Sequence, residues 1–273
     1  MLRALIWDVD GTLADTEEQG HRPAFNQAFA EAGLPWFWDA ALYAQLLATT
    51  GGKERMLAWW QQRDPVAAAA PGAAARIAKL HARKTAIYVA SVQAGALALR
   101  PGVARLLQQA RAQGVLLAIA TTTTPDNVTA LLQATLGAGS PAWFACIGAG
   151  DVVPHKKPAP DIYHWVLQRL GLPGADCVAI EDSGPGAAAA VAAGLPTLVT
   201  RSRYSQGDAM PAGLLAALLA DLDQLGEPGA PAQGHVPCER ALGQARGQAG
   251  ATAWQGVVDL ALLQRWAGHL PAL

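Results

Sequence analysis

The chain predicts an α/β fold, a doubly wound parallel sheet with an inserted α-helical domain, and three observations carry that prediction. Short apolar runs alternate with helical stretches from residue 97 to residue 200, the pattern of strands buried on both faces beneath crossover helices. Residues 17–99 instead show helical spacing throughout, with no strand signal to interrupt them. Each apolar run ends on polar side chains, so one end of the sheet collects Asp8 and Asp10, Thr121 and Thr122, and Glu181 and Asp182.

Leu5, Ile6 and Trp7 read as the end of a buried first strand. Asp8 and Asp10 then leave it on one side, because alternate residues of an extended segment point the same way. Gly11 permits an immediate turn. Asp15-Thr16-Glu17-Glu18 looks like a helix start, with Thr or Asp available as cap and acids in the first turn. The helical block follows through Phe25, Phe29 and Leu34, then Leu42, Leu46 and Leu47, then Met56 to Trp60, and closes with a long helix from about Ala74 to Val92. Pro101 and Gly114 bracket the next helix. Val115 to Ala120 is a buried strand that ends in four threonines and Pro125, and Asp126 opens a helix to about Leu136. Phe144 to Ile147 is a further strand. In the loop from Asp151 to Pro160, prolines on both sides of Lys157 are expected to hold the segment extended. A helix from Asp161 to Gly171, a strand from Cys177 to Ile180, an alanine-rich helix from Gly186 to Ala193 and a strand from Thr197 to Thr200 complete the alternation. Residues 1–16 and 97–222 thus form the α/β core, and residues 17–96 the helical insert. Residues 223–273 are a C-terminal extension, Gly/Pro-rich from Gly226 to Gly250 before one amphipathic segment, Val257 to Leu270.

The totals narrow the partners. A net charge of -1 gives no global attraction to nucleic acid or to an anionic membrane, so any anion must be held by local cations. No apolar run is long enough to span a bilayer. The first strand begins almost at Met1, which leaves no room for a signal peptide. Cys146, Cys177 and Cys238 have no metal-type spacing, and the first two lie in runs that read as buried strands, hence core thiols. A cytoplasmic monomer is expected.

Two neighbouring carboxylates resist ionising together unless a cation or a shared proton intervenes. Asp8 and Asp10 therefore suit a site where one carboxylate attacks phosphorus, the other handles a proton, and a divalent cation lies between. Thr121 offers a hydroxyl, and the N–H groups of Thr122 and Thr123 face an anion at a helix start. Lys157 can balance the nucleophile and a phosphate oxygen together. Glu181 and Asp182 are hard donors suited to Mg²⁺. In the insert, Glu17 and His21 follow the first turn closely. Gly51-Gly52-Lys53-Glu54-Arg55 sets two glycines before two cations at a helix start, a place for a second anionic group.

In this order and at these strand ends, the residues resemble the haloacid-dehalogenase-like superfamily of aspartyl-phosphate phosphohydrolases. DVDGT is similar to its first motif, Thr121 to its second, Lys157 to its third and Glu181-Asp182 to its fourth, over about residues 1–222. The resemblance implies a Rossmannoid core with an α-helical cap, Asp8 as nucleophile and Asp10 as general acid/base. It implies Thr121 and Lys157 on the phosphoryl group, and Mg²⁺ held by Asp8, the Asp10 carbonyl and Asp182, with Glu181 a ligand or its supporting partner. A second aspartate argues against the dehalogenases of that superfamily, which need no such acid. The strings DTEEQGHRPAFNQAF, WFWD, TTGGKER, HARKTAIY, LRPGV and ATTTTPDN resemble the CbbY branch, sugar-bisphosphate phosphatases associated with carbon fixation. That likeness implies a small phosphorylated sugar as substrate, xylulose 1,5-bisphosphate, with its second phosphate at Lys53 and Arg55. One departure is an added residue at Gln19-Gly20, before His21. A β-phosphoglucomutase-type mutase shares all four motifs, but Thr12 is more similar to the phosphatases. Phosphoglycolate phosphatase would not need the TGGKER cations. A non-catalytic binding protein on the same fold would have lost an acidic residue that is present here.

Overall fold

The computed structural model describes residues 1–218, 222–223 and 257–268. Six parallel strands form one sheet: β1 (Ala4–Trp7), β2 (Leu116–Ala120), β3 (Phe144–Gly148), β4 (Cys177–Glu181), β5 (Thr197–Thr200) and β6 (Ala216–Leu218). Their spatial order is β3-β2-β1-β4-β5-β6, so the winding reverses between β1 and β4. Ile6 pairs with Ala118 on one side and with Ala179 on the other. With neighbours on both edges and helices on both faces, all four β1 residues are buried, which explains an apolar run without alternation. Crevices outside the carboxyl ends of such strands are where an open α/β sheet binds ligands.

Of the six α-helices between β1 and β2, the first five form the insert: α1 (Arg22–Glu31), α2 (Ala40–Leu46), α3 (Gly52–Arg63), α4 (Pro65–Ala69) and α5 (Ala73–Gln93). They enclose an aromatic core of their own, Phe25, Phe29, Trp38, Tyr43, Trp59 and Trp60. Burying each such ring contributes about 1.5–3 kcal/mol. Asn26 fixes the Trp38 backbone from both sides, its amide donating to Trp38 O at 2.8 Å and its Oδ1 accepting from Trp38 N at 2.8 Å. The two connections between cap and core run together, through a bridge between Ala14 and Leu99 and a bond from Arg100 N to Leu13 O at 2.8 Å.

The remaining helices flank the sheet: α6 (Val103–Ala112), α7 (Pro125–Leu136), α8 (Asp161–Leu170), α9 (Gly184–Ala192) and α10 (Leu260–Gly268). Leu260, Leu263 and Trp266 of α10 join the main core beside Leu106 and Leu107 of α6. Arg105 of α6 fastens this end of the chain, donating to Asp223 at 2.5 Å and to Val258 O at 3.2 Å. Gly226 to Gly250 and Cys238 lie outside the described residues.

Several elements depart from the sequence reading. β6 is an added strand at the sheet edge, paired with β5. Cys177 is buried, but Cys146 is only half-buried, because β3 is the opposite edge and lacks a second neighbour. The segment from Asp151 to Pro160 is a succession of turns rather than extended. Lys156 curls it, its ammonium bonding Gly150 O and, at 2.7 Å, Asp151. Residues Glu17–His21 form a π-helical turn. Thr16 makes no side-chain cap there, because its hydroxyl is used elsewhere.

Candidate active site

At the carboxyl end of β1, the Asp8 N–H donates to Ile180 O of β4 at 2.9 Å, which ties the two strand ends together. Lys157 reaches this point from the loop after β3. Its ammonium donates to Asp8 Oδ1 at 2.7 Å, to Glu181 Oε1 at 2.6 Å and to Ala120 O at 2.8 Å. Three donors meet three acceptors, which is what a buried ammonium requires. Thr12 Oγ1 donates to Asp8 Oδ2 at 3.3 Å, and the Tyr163 hydroxyl donates to Glu181. Gly11 makes the turn beyond Asp10 with φ +82°, and a Cβ there would run into the Asp182 carboxylate.

Asp8, Glu181 and Asp182 place one oxygen each within 4.8 Å of one another, all buried. One ammonium does not balance three carboxylates. Burial pushes the Asp8 carboxyl up to about 7, against the pull of Lys157 and with a further push from Glu181. Burial, then Asp8 and Glu181, drives Asp182 well above its ordinary value. The Lys157 ammonium moves up too, since Asp8 and Glu181 outweigh its burial. Glu181 Oε2 has no hydrogen-bond partner among the described residues. This set of hard oxygen donors with surplus negative charge fits a divalent cation such as Mg²⁺. Lys157 and Tyr163 engage only Glu181 Oε1, so Asp8, Asp182 and the unpartnered Glu181 Oε2 are all available to face it.

Asp10 has a different environment. Its Oδ1 accepts from Thr16 Oγ1 at 2.7 Å and from His21 Nε2 at 2.9 Å. Lys84 of α5, also buried, lies 2.7 Å from His21 Nδ1. An ammonium can only donate, so Nδ1 accepts and the proton sits on Nε2, facing Asp10. Gln19 and Gly20 lie within the π-helical turn, which leaves His21 against Asp10. Burial alone would raise Asp10, but His21, Thr16 and the charge of Lys84 override it and hold the carboxyl at about 2.

Two cavities adjoin here and share Asp10, Glu17, Arg55 and Thr122. The larger, about 210 Å³, has Asp8, Thr121, Lys157 and Asp182 at its catalytic end and Ala44, Leu47 and Tyr204 on its far wall. The smaller, about 40 Å³, is lined by Gly51, Gly52, His21, His81, Lys84 and the threonines 122–124. Gly51 precedes α3 with φ +95°, and a Cβ on Gly52 would strike the His81 ring, so this backbone approach requires glycine. Arg55 bonds Tyr43 Oη at 3.1 Å and Leu46 O at 3.2 Å, and Glu17 accepts from the same tyrosine.

A family model described as haloacid dehalogenase-like hydrolase matches residues 2–194. This chain belongs to the haloacid dehalogenase-like hydrolases. Among its relatives in that family, the plasmid protein CbbY of Cupriavidus necator is 49% identical over 265 residues, covering 97% of this chain and 96% of its own. Protein CbbY of Rhodobacter capsulatus is 52% identical over 207 residues, 76% of this chain and 88% of its own. A solved variant of CbbY from Rhodobacter sphaeroides, in complex with xylulose-(1,5)bisphosphate, superposes with TM-score 0.72 at 44% identity, over 78% of this chain and 92% of that one. The family model and these relatives make the chain a phosphatase hydrolase, and its acidic cluster fits the family's use of a divalent metal. No helix among the described residues is long and apolar enough to cross a membrane.

Against this haloacid dehalogenase-like frame, the positions expected from sequence divide. Asp8, Asp10, Thr121, Thr122, Lys157, Glu181 and Asp182 meet at one end of the sheet, and Glu17, His21, Gly51, Gly52 and Arg55 face them from the cap. Lys53 lines neither cavity, because its ammonium pairs with Asp151 of the core. The Thr123 N–H turns to Thr121 Oγ1 at 3.3 Å instead of standing open. His81, Lys84, Asn127 and Tyr204 line the cavities without having been singled out. The spacing of His81 and Lys84, three apart on one helix face, was their available signal.

Proposed function

We propose that this phosphatase acts on a sugar bisphosphate, xylulose 1,5-bisphosphate, releasing the 1-phosphate and leaving xylulose 5-phosphate. The observation that carries the reading is the pair of adjoining cavities, one ending on Asp8 and Lys157 and the other on Arg55, Lys84 and the start of α3. A ligand with one anionic group at each end matches that shape. The solved CbbY complex with xylulose-(1,5)bisphosphate supports it. In this reading residues 1–16 and 97–222 form the core, 17–96 the cap and 223–273 the extension.

Asp8 attacks phosphorus, the ester oxygen leaves, and an acyl phosphate forms on the side chain. Water then attacks that phosphorus and returns the carboxylate. Two moderate steps replace one that is extremely slow uncatalysed. Lys157 holds Asp8 in line and shares a phosphate oxygen, and Thr121 donates its hydroxyl to the same group. Asp10 protonates the leaving alkoxide and later takes a proton from water. Both of its bonds fall on Oδ1, so Oδ2 carries the proton. Asp10 starts as a carboxylate; the charge of the bound phosphate raises its proton affinity, so Oδ2 takes up a proton from solvent as substrate binds and then passes it to the leaving oxygen. Mg²⁺, held by Asp8, the Asp10 carbonyl and Asp182 with Glu181 supporting, supplies charge neutralisation at the transferring phosphoryl group.

At the far end the second phosphate takes the N–H groups at the start of α3, with Arg55, Lys84 and Lys53 as counter-charges. Lys53 exchanges Asp151 for the ligand at small cost, since that ion pair is exposed. Arg55→Ala is expected to raise KM for the bisphosphate about 100-fold and Lys53→Ala about 5-fold, with a monophosphate affected far less. Equal effects on both substrates would remove the second-phosphate site. Burial lowers the Lys84 ammonium to about 8, so above that pH the small cavity loses a cation. The pH profile of kcat/KM for the bisphosphate is therefore expected to fall on the alkaline side near pH 8, and Lys84→Arg to move that limb upward.

The substrate test is phosphate release in the presence of Mg²⁺ from xylulose 1,5-bisphosphate, phosphoglycolate and β-glucose 1-phosphate. Preference for the bisphosphate is expected. Preference for phosphoglycolate would overturn the assignment, and conversion of glucose 1-phosphate to glucose 6-phosphate without net release would make the chain a mutase.

A further inference from the structure

We propose that Tyr204, in the core loop after β5, is a positioning residue that seats the cap over the catalytic end of the sheet and so governs turnover of substrates that fill the cap; this rests on the phosphatase reading above. The loop is built to hold a fixed shape. Arg100, where the chain returns from the cap, donates to the carbonyls of Thr200 at 2.8 Å and Arg201 at 2.9 Å. Arg201 Nη1 in turn bonds three carbonyls within the loop, Ser205 at 2.9 Å, Gln206 at 2.7 Å and Asp208 at 3.0 Å. Ser202 N donates to Ser205 Oγ at 2.9 Å.

From this rigid base Tyr204 reaches the cap in two ways. Its hydroxyl donates to Glu18, whose carboxylate also accepts from Arg22 at 2.7 Å. Its ring meets Tyr43 edge-on, with centroids 5.8 Å apart at 77°. Tyr43 is the residue that Arg55 bonds and stacks upon, so two rings connect the core loop to the cap arginine of the proposed second-phosphate site. Tyr204 also forms part of the larger cavity wall. The ion pair that joins α3 to the core, Lys53 with Asp151, is exposed and weak by comparison. A charge-assisted bond and an aromatic contact at the cavity wall are better suited to fix the cap's position.

Tyr204→Phe in the full-length chain keeps the ring and removes the bond to Glu18. It is expected to lower kcat/KM for xylulose 1,5-bisphosphate about 10-fold, chiefly through KM, while p-nitrophenyl phosphate, which leaves the smaller cavity at the start of α3 unfilled, loses less. Glu18→Gln should reproduce the loss, and the double variant should add little to it. Equal losses on both substrates, no loss on the bisphosphate, or additive losses would overturn the proposal. If the wild-type protein does not hydrolyse the bisphosphate, the substrate assignment has failed, and the same comparison with whichever sugar phosphate it turns over fastest decides the role of Tyr204. Hydrogen exchange gives a readout free of turnover. Amides of residues 14–22 should exchange faster in Tyr204→Phe, and unchanged protection there would contradict the inference.

Discussion

Asp8→Asn is expected to abolish turnover, lowering kcat by about 10⁴-fold or more, while the protein stays folded. An amide matches the carboxylate in shape but is no nucleophile toward phosphorus, and the remaining machinery then has nothing to act through. The same substitution removes one of three clustered buried carboxylates, of which only Asp8 and Glu181 are paired with the Lys157 ammonium. Without divalent cation, the variant should therefore melt at a higher temperature than the wild type. Added Mg²⁺ should narrow or reverse that order, because the wild type gains more from the ion. Phosphate release and thermal melts with and without Mg²⁺ check both halves. A variant that retained substantial turnover would exclude Asp8 as the attacking group.

Lys157→Met should do damage of a second kind. The ammonium is bonded to Asp8, Glu181 and a main-chain carbonyl, so its loss strands two buried carboxylates. Removing one partner of such a buried set costs about 3–5 kcal/mol. Activity should fall by about 10³-fold, since the group aligning the nucleophile and sharing the phosphate charge is gone. The sign of the pH effect follows from the stranded acids. Without their counter-ion they hold protons in the folded state at pH values where the unfolded chain has released them. Lowering the pH should thus ease the variant's stability deficit relative to wild type. Melts across the acidic range test this, and a deficit that grew as pH fell would show that the ammonium does not neutralise these groups.

The catalytic end of the sheet was legible because three adjacent strands, β2, β1 and β4, are continuous apolar runs that stop on functional residues. Ile6 and Trp7 lead to Asp8, Ala118 to Ala120 lead to Thr121, and Val178 to Ile180 lead to Glu181. The cap was less legible for a physical reason. Helical periodicity marks a buried face without saying which buried residues line a cavity, so His81 and Lys84 read like their neighbours on α5. Tyr204 was hidden because its contacts come from Glu18 and Tyr43, far away along the chain. Ala216–Leu218 consists of alanine and leucine, strong helix formers, and becomes a strand only through pairing with β5. Thr16 looked like a helix cap and is instead bonded to Asp10, because the π-helical turn sets that segment against the first strand's end.

The most direct test traps the intermediate. Protein quenched in mid-turnover with the bisphosphate and Mg²⁺, then reduced with borohydride, should carry homoserine in place of Asp8, since borohydride reduces an acyl phosphate but not a free carboxylate. Peptide mass spectrometry locates the change. Reduction at residue 8 alone is the predicted result; an unmodified Asp8 in protein that is releasing phosphate would contradict the covalent route.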